Sequence, residues 1–292
     1  MPTGPYLTRY PRRRPRLSGR CAVGLALLLL ASCSDPSVAP CTDCEPPAPL
    51  YTSANLAGHE VFAECNPGNQ SQCACDTSDV ALRSRNGHGE VTSNANRRGT
   101  YVNAIGARKF TDTFPDGTPL TLGRYSYTGE VRLPVLPRPD ATQRENPQAV
   151  HMMVQLYDGR DALFAAEKTT LEGAIYWDLN PWLPDVGTIR VYTGEDPLSL
   201  VDTGLTVPPD TAWHTFSLTV DLATRRYVAI TVDGQIRDLS HLPLARVAHP
   251  EWGDDLSLIL TTESMAAWPQ ATCGQVFTWT THFRNLVFTR AD

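Results

Sequence analysis

The chain has 292 residues, 41% hydrophobic and 19% charged. That is too apolar for a disordered chain and enough for one large domain or two small ones. The net charge of −6 is unevenly placed, because residues 1–32 hold six arginines and no acid. The remaining chain is therefore strongly acidic and would repel phosphate backbones, which excludes nucleic acid as the expected partner.

The N-terminus reads as an export signal. Arginines run to Arg20 and an apolar stretch follows from Cys21 to Ala31. Eleven residues at helical rise cover about 16 Å, roughly half a bilayer core, so this is a signal core and not a span. Leu30-Ala31-Ser32-Cys33 resembles the bacterial lipobox. That resemblance implies cleavage after Ser32 and lipidation of Cys33, with Ser34 in the following position favouring the outer membrane. Several acyl chains would anchor the protein firmly to the cell envelope. Residues 34–50 hold five prolines in seventeen positions and read as a semi-rigid tether. The expected organisation is a signal at 1–32, a lipidated tether at 33–51 and one domain at 52–292.

Beyond Cys21 and Cys33, six cysteines remain: Cys41, Cys44, Cys65, Cys73, Cys75 and Cys273. In an exported chain they suggest disulfides, with 15 connectivities available. Cys41-x-x-Cys44 also has zinc-ligand spacing, but it lies in the Pro-rich tether of a chain bound for an oxidising compartment. Cys273 would pair with Cys65, Cys73 or Cys75, stapling the start of the domain to its end.

The body reads as strands. They are expected at 78–85, 107–114, 122–133, 148–157, 172–178, 187–193, 215–222, 227–232, 256–262 and 275–288. The clearest alternation is Phe216, Leu218, Val220 and Leu222 against Thr215, Ser217, Thr219 and Asp221. Asp233-Gly234 signals a hairpin turn. Short helices are admitted only near 160–168 and 242–248. Many strands, Gly/Pro/Asp turns and no internal repeat point to an all-β jelly-roll sandwich of two antiparallel sheets.

Trp213-His214, a strand, Asp221, then Tyr227-Val-Ala-Ile-Thr-Val-Asp-Gly234 resembles the signature hairpin of concanavalin A-like domains, and Phe283–Phe288 is similar to their closing strand. The resemblance implies that fold, with Trp213 concerned with packing. It does not fix a function, since the fold carries lectins, glycosidases, lyases and adhesion modules.

The glucanase branch carries acids at alternate positions of one strand, and no such motif appears. Glu172 and Asp178 share a strand face but lie about 20 Å apart, whereas two-carboxylate hydrolysis needs about 5–9.5 Å. Glu251, Asp254 and Asp255 cluster in a loop-like context and read as solvated acids. The lyase branch uses a basic residue, a glutamine, a histidine and a tyrosine on its concave sheet. In QAVHMMVQLYD, His151, Gln155 and Tyr157 fall on one parity and the apolar residues on the other. The plain reading is an exposed polar sheet face. The functional reading is a ligand-facing strand, with Arg124 and Arg132 on another strand to meet a uronate. Trp182, flanked by prolines, is expected on a loop as a sugar-stacking ring, and Trp177 in the core.

No nucleophile elbow, zinc-protease helix or phosphate loop is present, and the histidines show no ligand spacing. No cofactor is expected. Loop acids leave room for a structural calcium without forming a calcium motif. The leading expectation is an envelope lipoprotein that binds glycan through His151, Gln155, Tyr157 and Trp182 without catalysis. The alternatives are a polysaccharide lyase or hydrolase using His151 and Tyr157, and an adhesion lipoprotein that contacts another envelope protein.

Overall fold

A computed structural model describes residues 48–65, 80–95, 102–140, 142–163, 168–195, 199–250, 252–266 and 277–291. They belong to one compact unit, Pro46–Asp292. The strands are β1 (Tyr51–Ser53), β2 (Glu60–Cys65), β3 (Val80–Arg85), β4 (His88–Ala95), β5 (Val102–Thr111), β6 (Arg124–Arg132), β7 (Pro147–Asp158) and β8 (Thr169–Asp178). They continue with β9 (Thr188–Thr193), β10 (Ser199–Thr206), β11 (Trp213–Asp221), β12 (Arg226–Val232), β13 (Gln235–Asp238), β14 (Ala245–Ala248), β15 (Leu256–Ala266) and β16 (Phe277–Arg290). Among the described residues there is no helix.

Two antiparallel sheets of eight strands pack face to face. The first runs β13-β12-β11-β6-β16-β4-β3, with β1 beside β16. The second runs β10-β9-β8-β7-β15-β5-β2, with β14 beside β8. The fold is the all-β, two-sheet sandwich expected from alternation.

Period-two patterning explains the packing. On β11, Phe216, Leu218 and Val220 are sealed inside, while Trp213, Thr215, Ser217 and Thr219 face outward. Across the sandwich, Trp177 on β8 is core, its indole N–H donating to the Val207 carbonyl at 3.0 Å. Burying each such side chain contributes about 1.5–3 kcal/mol. Gly173 lets the sheets approach here, because a Cβ would stand 2.5 Å from Val220 Cγ1.

The hairpin between β12 and β13 turns at Asp233-Gly234, both with positive φ, as the Asp-Gly pair predicts. Asp233 also clamps the neighbouring strand. Its Oδ1 accepts the Thr215 N–H at 2.8 Å and its Oδ2 lies 2.7 Å from His214 Nδ1. The Trp-His and Asp-Gly pairs thus hold the β11–β13 corner together.

Neither expected helix forms in the described residues. Residues 160–163 are turn and bend, and 164–167 lie outside the description. Ala245–Ala248 is strand β14, because its backbone extends the edge of β8 from Thr169 to Glu172. Strands β1, β2, β4, β10 and β13 were not anticipated. In β10 a register shift between Asp202 and Leu205 at Gly204 breaks the alternation that would have revealed it.

Candidate functional site

Strand β7 presents its two parities as expected. Val150, Met152, Val154 and Leu156 enter the core, and Ala149, His151, Met153, Gln155 and Tyr157 take the outer face of the second sheet. That face is not open to water. His151 is 2% and Tyr157 2% exposed, and β7, β8 and β15 are buried on both sides. The reading of an exposed polar face is corrected here.

Register assembles the site. His151 lies opposite Tyr176 on β8 and opposite Glu263 on β15. Glu263 pairs with Ile105 on β5, whose neighbour two residues back is Asn103. His151 Nδ1 is 3.0 Å from Glu263 Oε2, and Asn103 Nδ2 donates to the same oxygen at 2.8 Å. The Tyr176 ring lies 4.5 Å from the imidazole centroid, and the Tyr192 ring from β9 lies 5.7 Å away, edge-on. Four side-chain atoms clustered here are sealed from solvent with no hydrogen-bond partner among the described residues: His151 Nε2, Glu263 Oε1, Asn103 Oδ1 and Thr261 Oγ1; Ser257 Oγ, farther along the same face, is a fifth. Each such atom costs about 1–3 kcal/mol, so four in one neighbourhood are a feature that packing alone does not account for.

Gln155 and Tyr157 belong to a second cluster along the same face. Gln155 Nε2 donates to Glu172 Oε1 at 2.9 Å, and the Thr170 hydroxyl donates to the same oxygen at 2.8 Å. The Tyr157 hydroxyl donates to the Gly253 carbonyl at 2.7 Å, and its ring meets Trp252 edge-on at 5.1 Å. Trp252 stacks on His249, 3.9 Å between centroids. His151 and Tyr157 are six residues apart on an extended strand, about 20 Å. They share a face, but at that spacing they do not meet at one reaction centre.

The rim is built by the loop after β8. Arg190 on β9 reaches Asp178 at 3.4 Å and Asp185 of that loop at 2.6 Å. Burial raises the Asp178 carboxyl above its ordinary value, against the pull of Arg190. Trp182 lies on this loop, half-buried, its N–H donating to Asn180 Oδ1 at 3.0 Å. Among the described residues no ring contact joins Trp182 to His151.

The arginines proposed to meet a uronate sit elsewhere. Arg124 and Arg132 are on β6, in the first sheet. Arg132 leans toward the Trp213 ring at 5.8 Å, and Arg284 stacks on the same ring at 4.1 Å. Trp213 therefore packs on the outer face of the first sheet. Asp254 and Asp255 pair with Lys168 and Lys109, while Glu251 lies outside the described residues. So do Cys33, Cys41, Cys44, Cys73, Cys75 and Cys273, and the side chain of Cys65 at the end of β2.

Sequence reasoning missed Glu263, Asn103, Tyr192 and Arg190. One signal was legible: Glu263 is a lone acid in the apolar strand LSLILTTESMA, where a charge needs a partner.

No protein-family model and no curated protein matches the chain. Solved structures do. The chain is similar to an endo-β-1,4-glucuronan lyase from the fungus Trichoderma reesei (11% identity, 84% of this chain and 96% of that one, TM-score 0.49). It is also similar to a basic winged bean lectin solved with Tn-antigen (13%, 82% and 97%, TM-score 0.41). A third is a mutant of alginate lyase Aly36B in complex with alginate trisaccharide (14%, 82% and 98%, TM-score 0.41).

Proposed function

We propose that this chain is a lipoprotein of the bacterial cell envelope, held at the outer membrane through Cys33, that binds a carbohydrate chain on the outer face of its second sheet. The observation that carries the binding reading is the group of buried, unpartnered polar atoms on Asn103, His151, Thr261 and Glu263 beside the rings of Tyr176 and Tyr192. Sugars offer hydroxyls to such atoms and apolar ring faces to such aromatics. Tyr192, Arg190, Asn103 and Gln155 are half-buried and meet a ligand first. His151 and Glu263 lie beneath them, and Trp182 borders the rim. Glu172, Asp178 and Glu263 line the face with Arg190, while Lys109 farther along it is engaged by Asp255, so a neutral polymer suits it better than a polyuronate.

A second reading, a polysaccharide lyase, rests on the imidazole of His151 beside Tyr176. One experiment separates the two. The purified chain is run in affinity gels containing neutral or uronic polysaccharides, and the same mixtures are followed for unsaturated uronate. Retardation by a neutral polymer, lost in Tyr192→Ala and His151→Ala, is expected. Unsaturated product would replace binding by lyase activity, and the absence of retardation in every gel would sink the carbohydrate reading. Anchoring is checked by labelling with a fatty acid, which Cys33→Ser should abolish.

A further inference from the structure

The outer face of the first sheet holds a group that the sequence did not disclose. On β4, His88 and Glu90 are two residues apart and face outward, since Gly89 and Val91 between and beyond them point into the core. On the adjacent strand β16, His282 lies directly opposite Glu90. Two imidazoles and one carboxylate thereby meet on one patch of two paired strands. One ligand atom from each lies within 4.8 Å of the other two. The imidazole rings of His88 and His282 stand 4.6 Å apart at 34°, and His88 Nε2 is 3.5 Å from Glu90 Oε1. His282 Nδ1 is sealed from solvent and has no hydrogen-bond partner among the described residues.

We propose that His88, Glu90 and His282 bind a divalent transition cation of the zinc class. Ligands around tetrahedral zinc at about 2.0–2.1 Å are about 3.3 Å apart. Side-chain rotation closes the difference, because the backbones carrying all three are fixed by the sheet. Two nitrogens and one carboxylate select zinc or copper over calcium or magnesium, which prefer oxygen. The cation has an approach: a groove of about 270 Å³, lined by Glu90, Glu145, Thr278, Thr280 and His282, opens beside the group. Two arginines stand against binding. Arg85 pairs with Glu90 at 3.2 Å, but its side chain is 49% exposed, and such a pair is a weak competitor for a carboxylate. Arg132 on β6 lies directly opposite His282, with its guanidinium turned to the Trp213 ring 5.8 Å away. The three side chains lie on the opposite sheet from His151, so the site stands or falls independently of the carbohydrate reading.

The test titrates the tag-free full chain with Zn²⁺ alone by calorimetry, and with Co²⁺ by visible absorption. One equivalent is expected, with the intense visible bands of four-coordinate cobalt. His88→Gln and His282→Gln should each weaken binding by more than the roughly 10-fold that an outer-shell change costs, while His241→Gln, an exposed histidine on another loop, leaves it unchanged. Matching far-UV circular dichroism shows that the variants fold. Absence of binding in the parent chain would overturn the proposal. So would an equivalent of zinc that survives both histidine substitutions, since it would then be held elsewhere, for instance by the cysteines.

Discussion

The phenol oxygen of Tyr227 accepts the backbone N–H of Ala174 at 3.0 Å and donates its own proton to the Tyr192 carbonyl at 2.7 Å. Tyr227 belongs to the first sheet and both partners to the second. The contact falls where β8 changes neighbours. It pairs with β14 from Thr169 to Glu172 and with β9 from Ile175 to Trp177, leaving Gly173 and Ala174 between. Backbone groups at that break would be orphaned inside the core without the hydroxyl. Burial raises the phenol far above its ordinary range, so it stays protonated and able to donate.

Tyr227→Phe therefore removes one hydroxyl and strands two backbone groups. The expected loss is about 1–3 kcal/mol of unfolding free energy with little change in shape. Urea unfolding followed by tryptophan fluorescence measures it, and a midpoint equal to that of the parent chain would show that the hydroxyl is dispensable.

Gly173→Ala tests the neighbouring close approach. A methyl group there meets Val220 Cγ1 at 2.5 Å, between two sheets that cannot easily part. A cost of about 1–3 kcal/mol is expected. Val220→Ala alone also destabilises, but the double variant should be more stable than the sum of the two single losses predicts. Simple additivity would place the strain elsewhere.

His59 gives the stability of the protein a pH dependence. It is buried against Tyr51, whose hydroxyl lies 3.3 Å from Nδ1, and its Nε2 has no hydrogen-bond partner among the described residues. Burial, and then the charge of Arg108, lowers the imidazole to about 4. The unfolded chain takes up this proton first, near its ordinary value of about 6.5. The contribution is thus complete above about 6.5 and is lost as pH falls toward 4. About 2–3 kcal/mol should separate the behaviour of parent and His59→Gln between about pH 7.5 and about pH 4.5. Parallel pH profiles of the two denaturation midpoints would exclude this origin.

His151→Ala leaves the Glu263 carboxyl buried with Asn103 as its one remaining hydrogen-bond partner among those described here. Removing one partner of a buried hydrogen bond in this way costs about 1–3 kcal/mol. His151→Ala with Glu263→Leu should recover most of that stability, yet still fail to be retarded by the neutral polymer. Recovery of retardation in the double variant would remove both residues from the binding face.

The sheets were legible because burial imposes period two. Phe216, Leu218 and Val220 alternate with threonine and serine, and the pattern could mean little else. The polar parity of β7 was read correctly, and its burial was not. Whether a sheet face is covered depends on chain that is distant in sequence, and no local pattern records it. The same limit hid the clusters. His151 and Glu263 are 112 residues apart, and His88 and Glu90 meet His282 across nearly the whole domain. Register brings them together, and register belongs to strand pairing rather than to spacing. Arg124 and Arg132 illustrate the converse, since side chains plausible as partners of His151 by composition stand on the other layer.

The last two strands along the chain, β15 and β16, occupy the interiors of both sheets. Until β16 arrives, the first sheet is two unconnected fragments, β13-β12-β11-β6 and β4-β3, with β1 unpaired. Until β15 arrives, the second is β10-β9-β8-β7 and β5-β2. A nascent chain can therefore form hairpins as it emerges but cannot close either layer before its final forty residues or so are available, and such distant pairing is slow. For the export proposed above, this order would be an advantage. With the keystones last, a chain of this topology would stay loose while it was threaded and would lock only once its tail had crossed.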